Sequence, residues 1–364
     1  QFAPVPKSEF EGIDPLQVQQ APFFQHPIGC GPFMVEEVNM KNYTILAPFD
    51  RYYNGVADFK IQLLPSAGDS DPNVVTRAKS GNLDYGYTKM VADVQALEGT
   101  PGITVTPIDV RYTRLFYLNK FDKKDGSPAP LADVRVRQAL RYAIDMETIC
   151  ETLFQGSAVP ANALAPDANL KGGDLNDYNY NPEKAKELLA EANWDPNTVI
   201  KAVYYYTDQA TVDLMTAVQA YLADVGIKME FELVEGDLAT ILWTAPADQT
   251  NGPRAVDWDI CYAANAALSL HEYYDRYRTG SPTNSHTPED AELNRLIDAT
   301  NASADVNAQN EAFKELIKYE NENLFTMALY YQPIFLITSD KIGDIQKGTP
   351  QFCINWGIQN WNVQ

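Results

Sequence analysis

Few side chains in this sequence have the types and spacing that catalysis or metal binding requires. Its three histidines, His26, His271 and His286, form no H-E-x-x-H pair, and no G-x-S-x-G or Walker-type glycine motif occurs. The 49 aspartates and glutamates offer many carboxylate pairs. A glycosidase, however, needs two carboxylates held across a cleft, and sequence spacing cannot indicate that separation. We therefore predict that the protein is not an enzyme and that it has no catalytic metal and no tightly bound cofactor.

The chain instead has many tyrosines beside polar side chains. Tyrosine combines a rigid apolar ring with one hydrogen-bonding hydroxyl, which suits the capture of peptides or sugars. Aromatic residues on strands are also typical core residues, so each position has two interpretations, ligand contact or packing. The clusters are Tyr52-Tyr53, Tyr85-Gly86-Tyr87, Phe116-Tyr117, Tyr204-Tyr205-Tyr206, Tyr273-Tyr274 and Tyr330-Tyr331-Gln332.

Composition and charge limit the classes of partner. A chain of 364 residues, 45% of them hydrophobic, can bury a large core and is expected to form two domains. Its net charge of −21 argues against nucleic acid and anionic membrane surfaces as partners. The four scattered cysteines fit buried thiols about as well as disulfides. We favour thiols, because a chain of this size does not need covalent cross-links.

Strand-like and helix-like segments alternate along the chain, which predicts an α/β fold. The clearest helix begins after Asp133, where apolar residues recur every three or four positions, and Asp145 is the expected cap of a second helix over residues 146–154. Thr287, followed by Pro288, is the expected cap of a later helix. Residues 328–338 are predicted to form a strand, and the polar segment 120–131 is the predicted domain crossing.

The segment that carries the first of these helices also carries a resemblance to a known family. Residues 133–145 read D-V-R-V-R-Q-A-L-R-Y-A-I-D, which resembles a motif of the family 5 extracellular solute-binding proteins. These are the peptide-, nickel- and sugar-capturing components of ABC importers. Five more segments resemble the family's motifs in the same order, although each alone is ordinary turn or capping sequence: residues 27–33, 78–84, 155–161, 180–189 and 225–229.

The resemblance implies a two-lobed periplasmic-binding-protein-like fold of type II, in the cluster of large peptide-binding proteins. Family members carry a long segment ahead of the turn that matches residues 27–33, so we expect an incomplete first lobe here. The chain crosses twice between lobes in the family. We therefore expect residues 1–125 to form part of the first lobe, residues 126–328 to form the second lobe, and residues 329–364 to return to the first.

The resemblance also suggests where ligand is contacted, because in the family the ligand lies between the lobes. Arg114 and Tyr117 lie on the strand that leads into the first predicted crossing. The other candidates adjoin segments that line the family's cleft, and they are Tyr85, Tyr87, Tyr330, Tyr331 and Gln332.

One departure from the oligopeptide binders bears on the ligand. Those proteins resemble this chain around Trp258-Asp259-Ile260, and an aspartate soon afterwards pairs with the amino group of the peptide. Residues 261–270 contain no acidic residue here, and Leu268 falls about where that aspartate is expected. We therefore expect either a ligand without a free amino terminus or a substitute carboxylate such as Glu272. Asn265 is then the expected hydrogen-bonding contact.

Together these observations predict an extracytoplasmic solute-binding protein, either periplasmic or held at the cell surface as a lipoprotein. It is expected to be a monomer that captures a peptide-like or oligosaccharide ligand and delivers it to an ABC transporter permease, with no nucleic-acid partner. Two alternatives are a ligand-sensing regulatory module of the same fold and a hydrolase.

Overall fold

The computed structural model describes residues 5–39, 42–65, 71, 73–108, 112–165, 170–171, 174–266, 271–343, 345 and 357–364. The strands are β1 (Phe33–Asn39), β2 (Tyr43–Pro48), β3 (Ile61–Leu63), β4 (Tyr85–Thr88), β5 (Ile103–Ile108), β6 (Tyr112–Leu118), β7 (Val159–Pro160), β8 (Val199–Tyr204), β9 (Lys228–Leu233), β10 (Ile260–Ala266), β11 (Thr326–Tyr331), β12 (Ile334–Ser339), β13 (Ile342–Gly343) and β14 (Asn362–Val363). The helices are α1 (Val74–Lys79), α2 (Val91–Leu97), α3 (Val134–Ala143), α4 (Met146–Thr152), α5 (Pro182–Glu191), α6 (Gln209–Asp224), α7 (Leu238–Trp243), α8 (Ala291–Ala299) and α9 (Val306–Asn323).

The chain divides into two compact units, residues 1–108 with 334–364 and residues 109–333. The predicted boundaries after residues 125 and 328 differ from these. The first division lies earlier because β6 is an inner strand of the second unit's sheet, paired with β10 and β11. The predicted crossing at 120–131 is anchored in the same unit, since Lys120 is buried and the Arg254 amide donates to the Asp122 carbonyl at 2.8 Å.

The second unit is a three-layer α/β structure built on a six-stranded sheet of order β7-β11-β6-β10-β8-β9. β6 is buried on both faces: Phe116 and Leu118 face one core, and Leu115 and Tyr117 face the other. The first core includes side chains of α3, α4, α5 and α6, and the second includes side chains of α7, α8 and α9. The α/β fold class is thus confirmed, with helices covering both faces of the sheet.

The two helices predicted after Asp133 and Asp145 are both present. The Asp133 carboxylate accepts from the Arg135 amide at 2.8 Å, and the Asp145 carboxylate accepts from the Thr148 amide at 3.0 Å. α4 ends at Thr152, two residues before the predicted end. The prediction for Thr287 was wrong, because α8 begins four residues later and its cap is Asp290, which accepts from the Leu293 amide at 2.8 Å.

The predicted single strand over residues 328–338 is two strands in different sheets. β11 pairs with β6 in the second unit, whereas β12 pairs with β4 and β5 in the first unit. The break falls at Gln332 and Pro333, because proline has no backbone N–H to donate to a strand ladder.

The first unit has a smaller buried core in its described residues. Its sheets have the orders β1-β2-β3, β4-β12-β5 and β13-β14, and no residue of β1, β2 or β3 is fully buried. Its hydrophobic cluster comprises Val74, Ala78, Leu97 and Ile337.

This difference in burial predicts a difference in local stability. We expect backbone amides of the first unit to exchange with solvent faster than those of α3, α6 and β8, because fewer apolar contacts oppose local opening. Native-state hydrogen exchange followed by mass spectrometry measures this. Equal or stronger protection in β1 and β2 than in α6 would contradict the prediction.

Candidate functional site

A cavity of about 420 Å³ opens in the second unit beside the ends of β8 and β10. Ligand pockets of this size typically combine apolar and aromatic walls with a few polar groups. Its lining residues are Tyr117, Tyr205, Tyr206, Ala264, Asn265, Glu272, Tyr273, Asp275, Arg276 and Thr283.

The sheet topology brings these residues together. β8 and β10 are parallel neighbours, with Tyr204 opposite Tyr262. Their carboxyl ends therefore reach the same edge of the sheet, where ligands of open α/β sheets commonly bind. Tyr205 and Tyr206 follow β8 at this edge, and Asn265 lies near the end of β10. A 3₁₀ turn at His271–Tyr274 supplies further wall residues.

The tyrosines of the cavity are held by contacts with one another and with the core. Tyr117 is 1% exposed, and its ring lies 4.9 Å from that of Trp243. Burial raises the pKa of Tyr117 to about 12, although the neighbouring Arg276 acts in the opposite direction. The Tyr205 and Tyr206 hydroxyls are 3.1 Å apart. Burial and the neighbouring Tyr206 also raise the pKa of Tyr205, so the Tyr117 and Tyr205 hydroxyls remain neutral hydrogen-bonding groups near pH 7.

Asn265 joins the end of β10 to the turn that follows. Its side-chain Nδ2 donates to the Tyr273 carbonyl at 2.9 Å, and the residue is 9% exposed. This bond holds the amide in the wall of the cavity. The amide carries donor and acceptor groups but no charge, so it suits neutral amide or hydroxyl groups of a ligand.

Charged side chains of both signs also line the cavity. Glu272 and Asp275 are exposed carboxylates, and Arg276 is half-buried. The Arg276 guanidinium carbon lies 4.1 Å from the centre of the Trp243 ring. His271 Nε2 lies 3.3 Å from a carboxylate oxygen of Asp275. The site can therefore offer ionic contacts as well as aromatic surface.

The candidates near the end of β11, and Arg114 on the neighbouring β6, are buried or half-buried in the second unit. Tyr330 is 2% exposed, and its hydroxyl is 2.7 Å from that of Tyr262. The Tyr331 hydroxyl donates to the Ala163 carbonyl at 2.6 Å. Arg114 is 8% exposed and stacks 4.3 Å from the centre of the Tyr206 ring, which lines the cavity. Gln332 is half-buried in the segment after β11.

Among the nine candidates from the sequence, the cavity wall thus includes Tyr117 and Asn265. Tyr85 and Tyr87 belong to β4 of the first unit. The Tyr85 ring packs 5.0 Å from the Trp361 ring, and burial raises the pKa of the Tyr85 hydroxyl to about 12. Tyr87, in contrast, is 42% exposed. Leu268 lies outside the described residues.

Comparison with known proteins decides the family. The model of the bacterial extracellular solute-binding proteins, family 5 (middle region), matches residues 2–287. The chain belongs to this family. A putative ABC transporter peptide-binding protein of Brucella ovis is 28% identical over 231 residues, which are 62% of this chain and 42% of that protein. The family 5 chain thus spans less than half the length of this curated relative.

Solved structures support the two-lobed fold class. The oligopeptide-binding protein AppA of Bacillus subtilis, in complex with a nonapeptide, matches with a TM-score of 0.78 and 19% identity, over 99% of this chain and 72% of that one. NikZ of Campylobacter jejuni, in complex with Ni(L-His), matches with a TM-score of 0.78 and 17% identity, over 98% of this chain and 72% of that one.

Sequence reasoning on this family 5 protein passed over several cavity residues. Tyr204 is 8% exposed in the first core. Tyr205 and Tyr206, for which the sequence left ligand contact and packing open, line the cavity and are also partly buried against the two cores. The usable signal was their position just after a strand. Asp275 and Arg276 gave no signal, because a D-R pair on an irregular segment is ordinary surface sequence.

Three further features of the described residues concern metal ligands, cysteines and membrane-spanning helices. No group of three or more His, Cys, Asp or Glu side chains within them could hold a metal ion. Cys30, Cys150 and Cys261 are thiols, and Cys353 lies outside the described residues. No helix in the described part of the family 5 chain is long and apolar enough to span a bilayer.

Proposed function

We propose that this chain belongs to an extracytoplasmic solute-binding protein that captures a peptide-like or oligosaccharide ligand and delivers it to an ABC transporter permease. The observation that carries the proposal is the aromatic and polar cavity of about 420 Å³ at the carboxyl ends of β8 and β10. Its family, and the peptide-binding name of the Brucella ovis relative, agree with this role.

The cavity walls favour a ligand with both apolar surface and hydrogen-bonding groups. The half-buried rings of Tyr205 and Tyr206 retain surface in the cavity wall against which side chains or sugar faces can pack. The Asn265 amide suits the peptide or hydroxyl groups of such a ligand. No chemical step is needed, because the task is reversible capture and release.

Glu272 is proposed to take the place of the aspartate with which oligopeptide binders hold the peptide's amino group. It lines the cavity and follows closely after the stretch that lacks an acidic residue. A carboxylate there offsets the desolvation of an ammonium group, which costs several kcal/mol when the group is left unpaired in a closed site.

Calorimetry with free and N-acetylated trialanine tests the proposal. We expect acetylation or Glu272→Gln to weaken binding about 10-fold, which corresponds to about 1.4 kcal/mol for one charged contact. Glu292→Gln is the matched control, because Glu292 is an exposed carboxylate paired with Arg295 at 2.6 Å. It should leave binding unchanged.

Two other outcomes are informative. If free trialanine binds tightly, loses affinity on acetylation and is unaffected by Glu272→Gln, the role of Glu272 is wrong. If short oligosaccharides bind and both peptides do not, the ligand is a sugar. Failure of all these probes to bind would contradict the proposed capture function itself.

A further inference from the structure

The half-buried Arg276 is held differently from three buried arginines of the second unit, Arg137, Arg141 and Arg254. Arg254 pairs with the Asp259 carboxylate at 2.6 Å. Arg137 donates to the carbonyls of Leu131, Ala132 and Asn323 at 2.7–3.1 Å, and Arg141 donates to the carbonyls of Ala161 and Tyr178 at 3.2 and 3.4 Å. Each of these guanidinium groups thus has oxygen acceptors within the protein, as a structural arginine needs.

Arg276 is held by aromatic side chains. One face of its guanidinium lies over the Trp243 ring at 4.1 Å, and Trp243 itself packs against Tyr117. The guanidinium also acts on Tyr117, since it opposes the rise in the pKa of that hydroxyl. In the described part of the chain, no carboxylate oxygen lies within 4.0 Å of Arg276. Stacking occupies the face of the group, while its N–H donors lie in the plane of the guanidinium, at its edge.

The neighbouring carboxylates pair with other partners. Asp275, next to it in sequence, lies 3.3 Å from His271, and Asp298 pairs with Arg278 at 2.8 Å. Among the described residues that line the cavity, Arg276 is the one cation. A half-buried guanidinium held this way, in a protein of net charge −21, has no carboxylate within 4.0 Å in the described residues and can pair with an anion that enters the cavity.

We propose that Arg276 is the carboxylate-binding residue of this cavity, so that the captured solute is an acidic or zwitterionic molecule and not a neutral oligosaccharide. This inference rests on the proposed capture function and narrows its ligand class. A guanidinium matches a carboxylate with two parallel N–H···O bonds, and its stacking on Trp243 fixes its plane before ligand arrives. Glu272 and Asp275 in the same cavity can take an ammonium group of a zwitterion.

Calorimetry on the full chain should compare trialanine with trialanine amide, which differ only in the terminal carboxylate. Digalacturonic acid and the neutral disaccharide galactobiose form a second pair and distinguish a peptide carboxylate from a sugar carboxylate. We expect the acid of at least one pair to bind about 10- to 100-fold more tightly than its neutral counterpart, as expected for loss of a charge-assisted contact.

Arg276→Gln should remove that preference for the acid. Arg278→Gln is the matched control, because Arg278 is exposed and lies two residues further along, and it should retain the preference. Arg276→Lys keeps the positive charge but lacks the two parallel N–H donors of the guanidinium, so it should keep part of the preference for the acid. It also serves as a second test if the glutamine variant does not fold. Melting temperatures of all three variants should be recorded beside the calorimetry.

Equal binding of the acid and the neutral probe, or an acid preference that survives in Arg276→Gln, would overturn the inference and leave the capture function standing. Binding of none of the four probes would overturn both.

Discussion

Replacing Asp259 by asparagine is expected to lower the free energy of unfolding by about 3–5 kcal/mol, the usual cost of breaking a buried ion pair from one side. Asp259 and Arg254 side chains are 1% and 4% exposed, and a carboxylate oxygen accepts from Arg254 Nη1 at 2.6 Å. The other oxygen accepts from the Lys201 amide at 2.8 Å. Asparagine leaves the guanidinium without its counter-charge and places an NH2 group where one of these two donors already points.

Asp257→Asn provides the control. Asp257 interacts with the same two partners, since it lies 3.0 Å from Lys201 Nζ and 3.9 Å from Arg254, but its side chain is 71% exposed. Because water screens such a pair, we expect a change of less than about 1 kcal/mol. Urea denaturation followed by tryptophan fluorescence measures both variants. Similar losses in the two would show that burial does not decide the contribution of this cluster.

The second large effect is a dependence of stability on pH that arises from Glu320. This glutamate of α9 is 3% exposed, and burial raises its pKa to about 8 against the weaker opposing influence of Lys120 and Arg137. Below the unfolded pKa, near 4.5, both states are protonated and Glu320 causes no loss. As the pH rises to about 8, the unfolded state releases its proton more readily, so stability falls, by about 4–5 kcal/mol.

Comparison with Glu320→Gln isolates this contribution. Burial lowers the pKa of the neighbouring Lys120, so Lys120 makes stability rise with pH, opposite to the effect of Glu320. The informative quantity is therefore the difference in stability between wild type and Glu320→Gln at each pH. We expect Glu320→Gln to become more stabilising, relative to wild type, from pH 5 to pH 9. Glu322→Gln, an exposed position on the same helix, should show no such trend. A difference between wild type and Glu320→Gln that stays constant across this range would contradict the raised pKa.

Local sequence predicted the helices of the second unit well. The apolar spacing after Asp133 and the side-chain caps Asp133 and Asp145 act within a few residues, and the structure has both cap bonds. The prediction failed for Thr287, because two nearby polar residues can each cap a helix and only the fold decides which carboxylate or hydroxyl meets the free amides. The apolar segment 328–338 was likewise predicted as one strand, because its sequence does not indicate that the chain passes from one sheet to another at Pro333.

The candidate site was predicted only in part. Tyr117 and Asn265 were singled out from the sequence and lie in the cavity wall, as does Glu272. Tyr330 was singled out on the same grounds but is buried against Phe154, with ring centroids 4.4 Å apart. The register shift between Ala328 and Tyr330 contributes to this placement, because a bulge changes the face of the sheet on which a side chain lies.

The sequence by itself therefore determined the family, the α/β class and the capped helices, because these depend on motifs and on contacts between residues near each other in the chain. Only the tertiary structure decided which residues share the cavity. The cavity combines Tyr117 of β6, Tyr206 just after β8, Asn265 of β10 and Arg276 of an irregular segment. They meet because β6, β10 and β8 are neighbours in the sheet, and that order is fixed by pairing between residues up to about 150 positions apart, as between Cys261 and Tyr117.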